Sequence, residues 1–169
     1  MNNNSLKRKS LWEYGVLLIL LLATWGLQSA PSNFLSVFAL RPVLVLGLVA
    51  CVGMIYGELM GGVFGFCGGL LMEIDAAPSV GFHLLLLTAL GILCGLAVRH
   101  LLMNNIPASF TLLLTVCILY FTLYWLLYKV ILGADGLYYW IRFSLPSAAL
   151  TTLWGCGFYG VLRLLHHKK

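Results

Sequence analysis

The sequence predicts an all-α integral membrane protein: six transmembrane helices in a single domain that covers residues 1–169. Apolar residues make up 62% of the chain and charged residues 9%, against roughly 45–50% and about 25% in soluble domains. A water-soluble fold cannot bury that much apolar surface. Apolar runs long enough to cross a bilayer as helix, about 20 residues each, follow one another along the whole chain. They cover residues 11–28, 36–55, 58–74, 82–102, 107–131 and 143–165.

The boundaries between these runs are short. The first run follows the basic segment MNNNSLKRKS, and we expect it to stay uncleaved because no small-x-small cleavage site with a soluble chain follows it. Little more than Tyr56, Gly57 and Glu58 separates the second run from the third. Either run could therefore be tilted or re-entrant, and five spans are the alternative to six.

The distribution of basic residues predicts the orientation. Lysine and arginine collect in residues 7–9, at Arg99 and in residues 163–169. With six spans these three clusters fall on one side of the membrane, and the positive-inside rule makes that side cytoplasmic. With five spans the last cluster would fall on the opposite side. We therefore expect six spans with both termini in the cytoplasm.

Glycines at helical spacing predict close helix packing. In lipid, helices associate largely through close backbone approach at small residues. A ridge of glycines at every fourth position runs along the third span, a Gly-x-x-x-Gly pair occurs in the fourth, and three glycines occur in the sixth. We expect these three spans to form a tightly packed centre. The residues are Gly57, Gly61, Gly65 and Gly69, then Gly91 and Gly95, then Gly155, Gly157 and Gly160.

Polar residues near the outer span ends form a candidate cluster. Glu73 and Asp75 end the third span, Arg41 with Pro42 begins the second, and His83 begins the fourth. Charges inside a membrane are costly and often mark paired or functional sites, so these four residues are a candidate periplasmic polar cluster. The simpler interpretation makes Asp75 a hydrated loop residue, Glu73 a helix-end acceptor and His83 an ordinary helix-start residue.

The fifth span has a different character. It lacks glycine and carries a stripe of large aromatic residues, which suits contact with lipid or with a partner's helix. The candidate partner-facing residues are Tyr120, Tyr124, Trp125 and Tyr128.

No residue pattern predicts catalysis, a metal site or a cofactor. The five cysteines lie within apolar runs at no ligand-like spacing, which is typical of small residues packed inside helices. The few acidic residues are scattered along the chain. Threonine hydroxyls within the spans are expected to bond back to their own helix or to a neighbour. We therefore expect a protein that is not an enzyme.

Several motifs together resemble the rod shape-determining protein MreD family. They are LQSA at 27–30, RP at 41–42, GxxxGFxxGLxxE at 61–73 and PSVGFH at 78–83, followed by Gly91, Gly95 and Arg99. The resemblance covers nearly the whole chain in length and span number and is strongest over residues 27–99. One position departs from the pattern: the acidic residue after GFxxGL is usually aspartate in this family, and here it is Glu73 with Asp75 close behind.

The resemblance implies a non-enzymatic, multi-pass subunit of the bacterial inner membrane that belongs to the cell-elongation machinery. Its expected partners are MreC, a RodA-type glycosyltransferase and a class B penicillin-binding transpeptidase, with an indirect link to MreB filaments. The implied fold is similar to the substrate-binding subunits of energy-coupling factor transporters. A subunit that binds a vitamin-type small molecule is therefore the alternative function.

Overall fold

A computed structural model describes residues 3–30, 42–75, 81–100, 106–127 and 140–167, and these residues are almost entirely helical. The predicted all-α class is confirmed for this part of the chain. A π-helical turn, Trp140–Ser144, leads directly into the last helix. The six α-helices are α1 (Asn3–Ser29), α2 (Leu44–Tyr56), α3 (Glu58–Asp75), α4 (Phe82–His100), α5 (Ile106–Trp125) and α6 (Leu145–His167).

The centre of the bundle is α2. It packs against each of the other five helices, and every residue from Leu44 to Met54 is buried. The outer helices are neighbours in the order α1, α3, α4, α5 and α6. Among the described residues α6 packs against α2 and α5 but not against α3 or α4. The expected centre of spans three, four and six is therefore wrong: α6 lies on the outside, and the short apolar α2 takes the central position.

The closest contact between helices joins α3 to α4. A Cβ atom added to Gly65 would lie 2.5 Å from the carbonyl oxygen of Leu87, and one added to Gly69 would lie 2.5 Å from the Cα of Leu84. Gly61 and Gly91 abut each other's carbonyl groups, and Gly95 abuts the backbone of Glu58. All five of these glycines, Gly61, Gly65 and Gly69 in α3 and Gly91 and Gly95 in α4, thus lie where the backbone of one helix meets that of the other.

Gly57 differs from the other glycines of the series. It connects α2 to α3 with a φ of 92°, and nothing within 4 Å would meet an added Cβ. Glycine adopts positive φ at little cost, whereas other residues do so with strain. Gly57 therefore makes the tight turn that reverses the chain. A second glycine with positive φ, Gly81, precedes α4.

Polar contacts identify the two ends of the bundle. At one end, Arg99 of α4 pairs with Glu58 of α3 at 2.5 Å, and the hydroxyls of Ser109 and Tyr159 are 3.0 Å apart. We call this the basic end. At the other end, which we call the carboxylate end, Ser29 donates to Asp75. Successive helices run in opposite directions between the ends, so α1 begins, and α4 and α6 finish, at the basic end.

Two described helices are long and apolar enough, by length and composition, to cross a membrane: α4 and residues 108–125 of α5. The second predicted span is shorter as a helix, since α2 begins at Leu44, just after Pro42, and has 13 residues. The third predicted span, α3, carries charges at both ends: Glu58 is its first residue, and Glu73 and Asp75 lie within its last three. Residues 36–41 of the predicted second span lie outside the described part of the chain.

The outer surface of the bundle is apolar. The clearest stripe lies on α3, where exposed side chains recur three or four residues apart from one end of the helix to the other. Its first and last members are the most exposed, at 80% and 72%. The stripe consists of Leu59, Val63, Phe66, Leu70 and Ile74. Contiguous apolar surface of this extent is rare on soluble monomers and marks contact with lipid or with other proteins.

Candidate functional site

Glu73 joins the end of α3 to the beginning of α4. Its Oε1 accepts hydrogen bonds from the backbone N–H groups of His83 at 2.7 Å and Leu84 at 3.4 Å. The first N–H groups of an α-helix have no partner within that helix, and a carboxylate there also complements the positive end of the helix dipole. Glu73 is therefore a helix-end acceptor for α4, the helix that follows its own.

His83 links α4 to α5. Its side chain is buried, and its Nδ1 lies 2.9 Å from the hydroxyl of Tyr120. The imidazole also lies against Tyr124, with ring centroids 5.9 Å apart and planes 22° from parallel. The ring of Phe82 packs against the imidazole in a T-shaped arrangement, with centroids 5.4 Å apart. Glu73 and His83 together therefore connect three consecutive helices at the carboxylate end.

The aromatic stripe of α5 is only partly on the outside. Tyr120 is 2% exposed, so its predicted position on a partner-facing surface is wrong: its hydroxyl reaches inward to His83. Tyr124, one turn later, is exposed along one side while its ring covers His83. Trp125 is partly buried. Tyr128 lies outside the described residues.

Asp75 belongs to a separate group of contacts, around α1. It accepts a hydrogen bond from the Ser29 hydroxyl. Next to Ser29, the Gln28 side-chain oxygen accepts from the Val45 N–H at 3.3 Å. The predicted four-residue cluster thus divides: Glu73 and His83 meet, Asp75 turns to α1, and Arg41 lies outside the described residues.

The beginning of α2 is held by residues that the sequence does not mark as functional. Gln28 of α1 accepts from Val45, and Thr151 of α6 accepts from the Val43 N–H at 3.1 Å. Thr151 also donates to the Ser147 carbonyl within its own helix, as expected for a threonine in a span. The LQSA motif contains both Gln28 and Ser29, and this motif was the sequence feature that could have indicated a structural role for Gln28. Nothing in the sequence around Thr151 indicates its second contact.

The polar contacts described at the carboxylate end are hydrogen bonds. No group of three histidine, cysteine or acidic side chains is placed to hold a metal ion among these residues. The five cysteines are free thiols, and each lies on a different helix from α2 to α6: Cys51, Cys67, Cys94, Cys117 and Cys156. The carboxylate end is therefore a set of side chains that close helix ends and join neighbouring helices.

Comparison of the chain with protein-family models, with curated proteins and with solved structures found no match. Its function is therefore inferred from its own residues and their geometry.

Proposed function

We propose that this protein is a multi-pass, non-enzymatic scaffold of the bacterial inner membrane, similar to MreD. In this role it binds MreC and helps to organise the RodA-type glycosyltransferase and the class B penicillin-binding transpeptidase of the cell-elongation complex. Through MreC it is connected to MreB filaments and contributes to peptidoglycan synthesis and rod shape. The proposal includes six membrane spans and a fold similar to the energy-coupling factor subunits.

The apolar exterior supports membrane insertion. The α3 stripe from Leu59 to Ile74 would be unfavourable in water, since about 25 cal/mol is lost for each Å² of apolar surface left exposed. Lipid removes that cost. The 13 residues of α2 span only about 20 Å as helix, but α2 is enclosed by the other five helices and has no need to match the bilayer thickness itself.

The charge distribution supports the orientation. The alternating helices place the end of α4, with Arg99, and the end of α6, with Arg163, at the basic end, where α1 also begins. In the proposed topology this end faces the cytoplasm. The carboxylate end, with Glu73 and Asp75, then faces the periplasm.

The observation that carries the scaffold proposal is that the polar groups at the carboxylate end form hydrogen bonds with other parts of the same chain. Glu73 is bonded to the backbone of α4, His83 to Tyr120, and Asp75 to Ser29. A catalytic or ligand-binding site needs polar groups that converge on a shared space. Here they converge on the chain itself, which fixes the helices relative to one another and leaves an apolar surface for a partner's helix.

The alternative function, a vitamin-type binding subunit, requires a cavity. A shallow hollow between α5 and α6 has no enclosed space even for a water molecule, whereas small-molecule pockets usually measure roughly 300–1,000 Å³. This hollow is too small for such a ligand, and Glu73 is not among the residues that line it.

Affinity purification from native membranes tests the proposal. The tagged protein is extracted in mild detergent, and the proteins that accompany it are identified by mass spectrometry. Recovery of MreC with the glycosyltransferase or the transpeptidase is the expected result. Recovery of paired ATPase subunits with a large membrane coupling protein would show a transporter subunit and overturn the scaffold proposal.

A pair of glycine variants makes this experiment more specific. Gly65→Leu places a side chain against the backbone of α4, whereas Gly157→Leu adds the same side chain where nothing lies within 4 Å. We expect Gly65→Leu to lose MreC and rod shape, and Gly157→Leu to keep both. Full function of Gly65→Leu would show that the α3–α4 contact is not needed for the scaffold.

A further inference from the structure

The contact between α4 and α5 differs from the contact between α3 and α4. Among the described residues α4 packs extensively on α3, backbone against backbone, and much less on α5. A polar contact joins α4 to α5 at the carboxylate end, where the Nδ1 of His83 lies 2.9 Å from the Tyr120 hydroxyl. The ring of Tyr124 stacks on the same imidazole. The association of these two helices therefore depends strongly on one histidine.

His83 is poorly placed to carry a charge. Histidine is the side chain that ordinarily gains or loses its charge between about pH 5 and pH 8. His83 is buried, and the rings of Phe82, Tyr120 and Tyr124 surround it. Burial removes the water that would stabilise an imidazolium. A neutral imidazole can accept a hydrogen bond at Nδ1, whereas an imidazolium can only donate. Protonation of His83 therefore opposes its position between the helices.

The titratable groups that face His83 from the neighbouring helices, among the described residues, are Glu73 of α3 and the two tyrosines of α5. Tyrosine titrates at about pH 10, so both phenols stay neutral below pH 8. The Glu73 carboxylate favours a charged imidazole and offsets part of the cost of burial. Its Oε1, however, accepts from the backbone N–H of His83 at 2.7 Å. This oxygen serves the beginning of α4 and not the imidazole ring.

We propose that the contact of His83 with Tyr120 and Tyr124 is a pH-sensitive latch: protonation of His83 separates the carboxylate ends of α4 and α5. Glu73 continues to hold α4 to α3, so α5 is the helix that moves away. The inference adds regulation to the proposed scaffold. It rests on the proposed function only for the side of the membrane, since the proposed topology places the latch on the periplasmic side.

Three native cysteines can report this opening. Cys117 of α5 is buried and precedes Tyr120 by three residues, and Cys94 of α4 is buried and follows His83 by eleven. Eleven residues make about three helical turns, so Cys94 and His83 share one face of α4. Cys156 of α6 is exposed and serves as the internal reference.

Thiol labelling of the purified full-length protein tests the proposal. The protein in mild detergent is treated briefly with N-ethylmaleimide at about pH 7.5 and about pH 5.5, one unit on either side of the ordinary histidine pKa of roughly 6.5. Peptide mass spectrometry gives the labelling of Cys117 and Cys94 relative to Cys156, which corrects for the slower reaction of thiols in acid. One proton taken up by the open state alone raises the opening constant about tenfold between these conditions.

We therefore expect the relative labelling of Cys117 and Cys94 to rise about tenfold in acid in the original protein. His83→Gln keeps a hydrogen-bonding side chain that does not titrate, and it should show no rise. His100→Gln is the matched control, because His100 is exposed at the other end of the same helix; this variant should respond as the original protein does. Glu73→Gln keeps an acceptor oxygen for α4 and should also respond.

Four results would overturn the latch. They are a constant ratio in the original protein, an equal rise in His83→Gln, loss of the rise in Glu73→Gln, and a ratio that falls in acid. The third would make the carboxylate the sensor, and the fourth would show an ion pair that tightens the contact. Cys51, buried in the central α2, should stay unlabelled at both pH values. Labelling of Cys51 in parallel with Cys117 would show loss of the whole fold and would also overturn the latch.

Co-purification separates this inference from the proposed function. If the original protein captures MreC and its Cys117 labelling does not respond to acid, the scaffold stands and the latch is wrong. If Cys117 responds through His83 and MreC is absent at both pH values, the latch stands and the scaffold is wrong.

Discussion

The contact of Gly65 with α4 allows a quantitative prediction. An alanine Cβ would lie 2.5 Å from the Leu87 carbonyl oxygen and 2.9 Å from the Cα of Thr88. Carbon and oxygen approach to roughly 3.3 Å even in favourable weak contacts, so α3 and α4 must separate by about 0.8 Å there. All the atoms in the way belong to backbone, and they cannot rotate aside. Overpacking of this kind costs about 1–3 kcal/mol.

The matched control is Gly157→Ala, because α6 has open space around this glycine. Both substitutions remove a flexible residue from a helix interior, which by itself stabilises a helix by roughly 0.5–1 kcal/mol. The difference between the two variants therefore isolates the steric cost. We expect Gly65→Ala to be about 1–3 kcal/mol less stable than Gly157→Ala, measured by SDS unfolding in mixed micelles with tryptophan fluorescence. Equal unfolding midpoints would refute the close contact of α3 with α4.

Three further predictions concern the two ends of the bundle. Glu73→Ala should weaken MreC capture more than Asp75→Ala, because Glu73 closes the beginning of α4; equal or reversed losses in co-purification would move that role to Asp75. Tyr120→Phe should lower stability by about 1 kcal/mol through loss of one buried hydrogen bond, while exposed Tyr14→Phe should not, and unfolding midpoints that coincide would contradict this. Arg99→Gln should leave the midpoint unchanged, since exposed ion pairs contribute little; a clear decrease would show a stronger pair.

The sequence predicts the contact of α3 with α4 well, because glycines at every fourth position give a helix a smooth face on which another backbone can pack closely. It does not predict that α2 is central. Gly47 and Gly53 of α2 are six residues apart, and this spacing does not predict a packing ridge. A Cβ atom added to Gly53 would nevertheless lie 2.5 Å from the carbonyl oxygen of Gly91. The available signal was that α2 is apolar on all sides, which is typical of an enclosed helix.

The candidate site is predicted less completely than the fold. Spacing shows that Tyr120 and Tyr124 share one face of α5, but it cannot show that Tyr120 is buried while Tyr124 is exposed. That depends on His83, 37 residues earlier in the chain. The contact of Thr151 with Val43 spans 108 residues and leaves no local pattern. Long-range pairs of this kind decide which polar groups are already satisfied.

The beginnings of two helices are closed by side chains from neighbouring helices: α4 by Glu73, and α2 by Gln28 and Thr151. A buried backbone group without a hydrogen-bond partner is costly, so these polar side chains stabilise the backbone before they could serve any ligand. In the proposed scaffold, partner recognition falls to the apolar exterior, and substitutions at the carboxylate end can affect a partner only by changing the fold. Loss of MreC and loss of stability should therefore go together in Glu73→Ala and Tyr120→Phe. A variant that loses MreC at unchanged stability would place the partner at the carboxylate end itself.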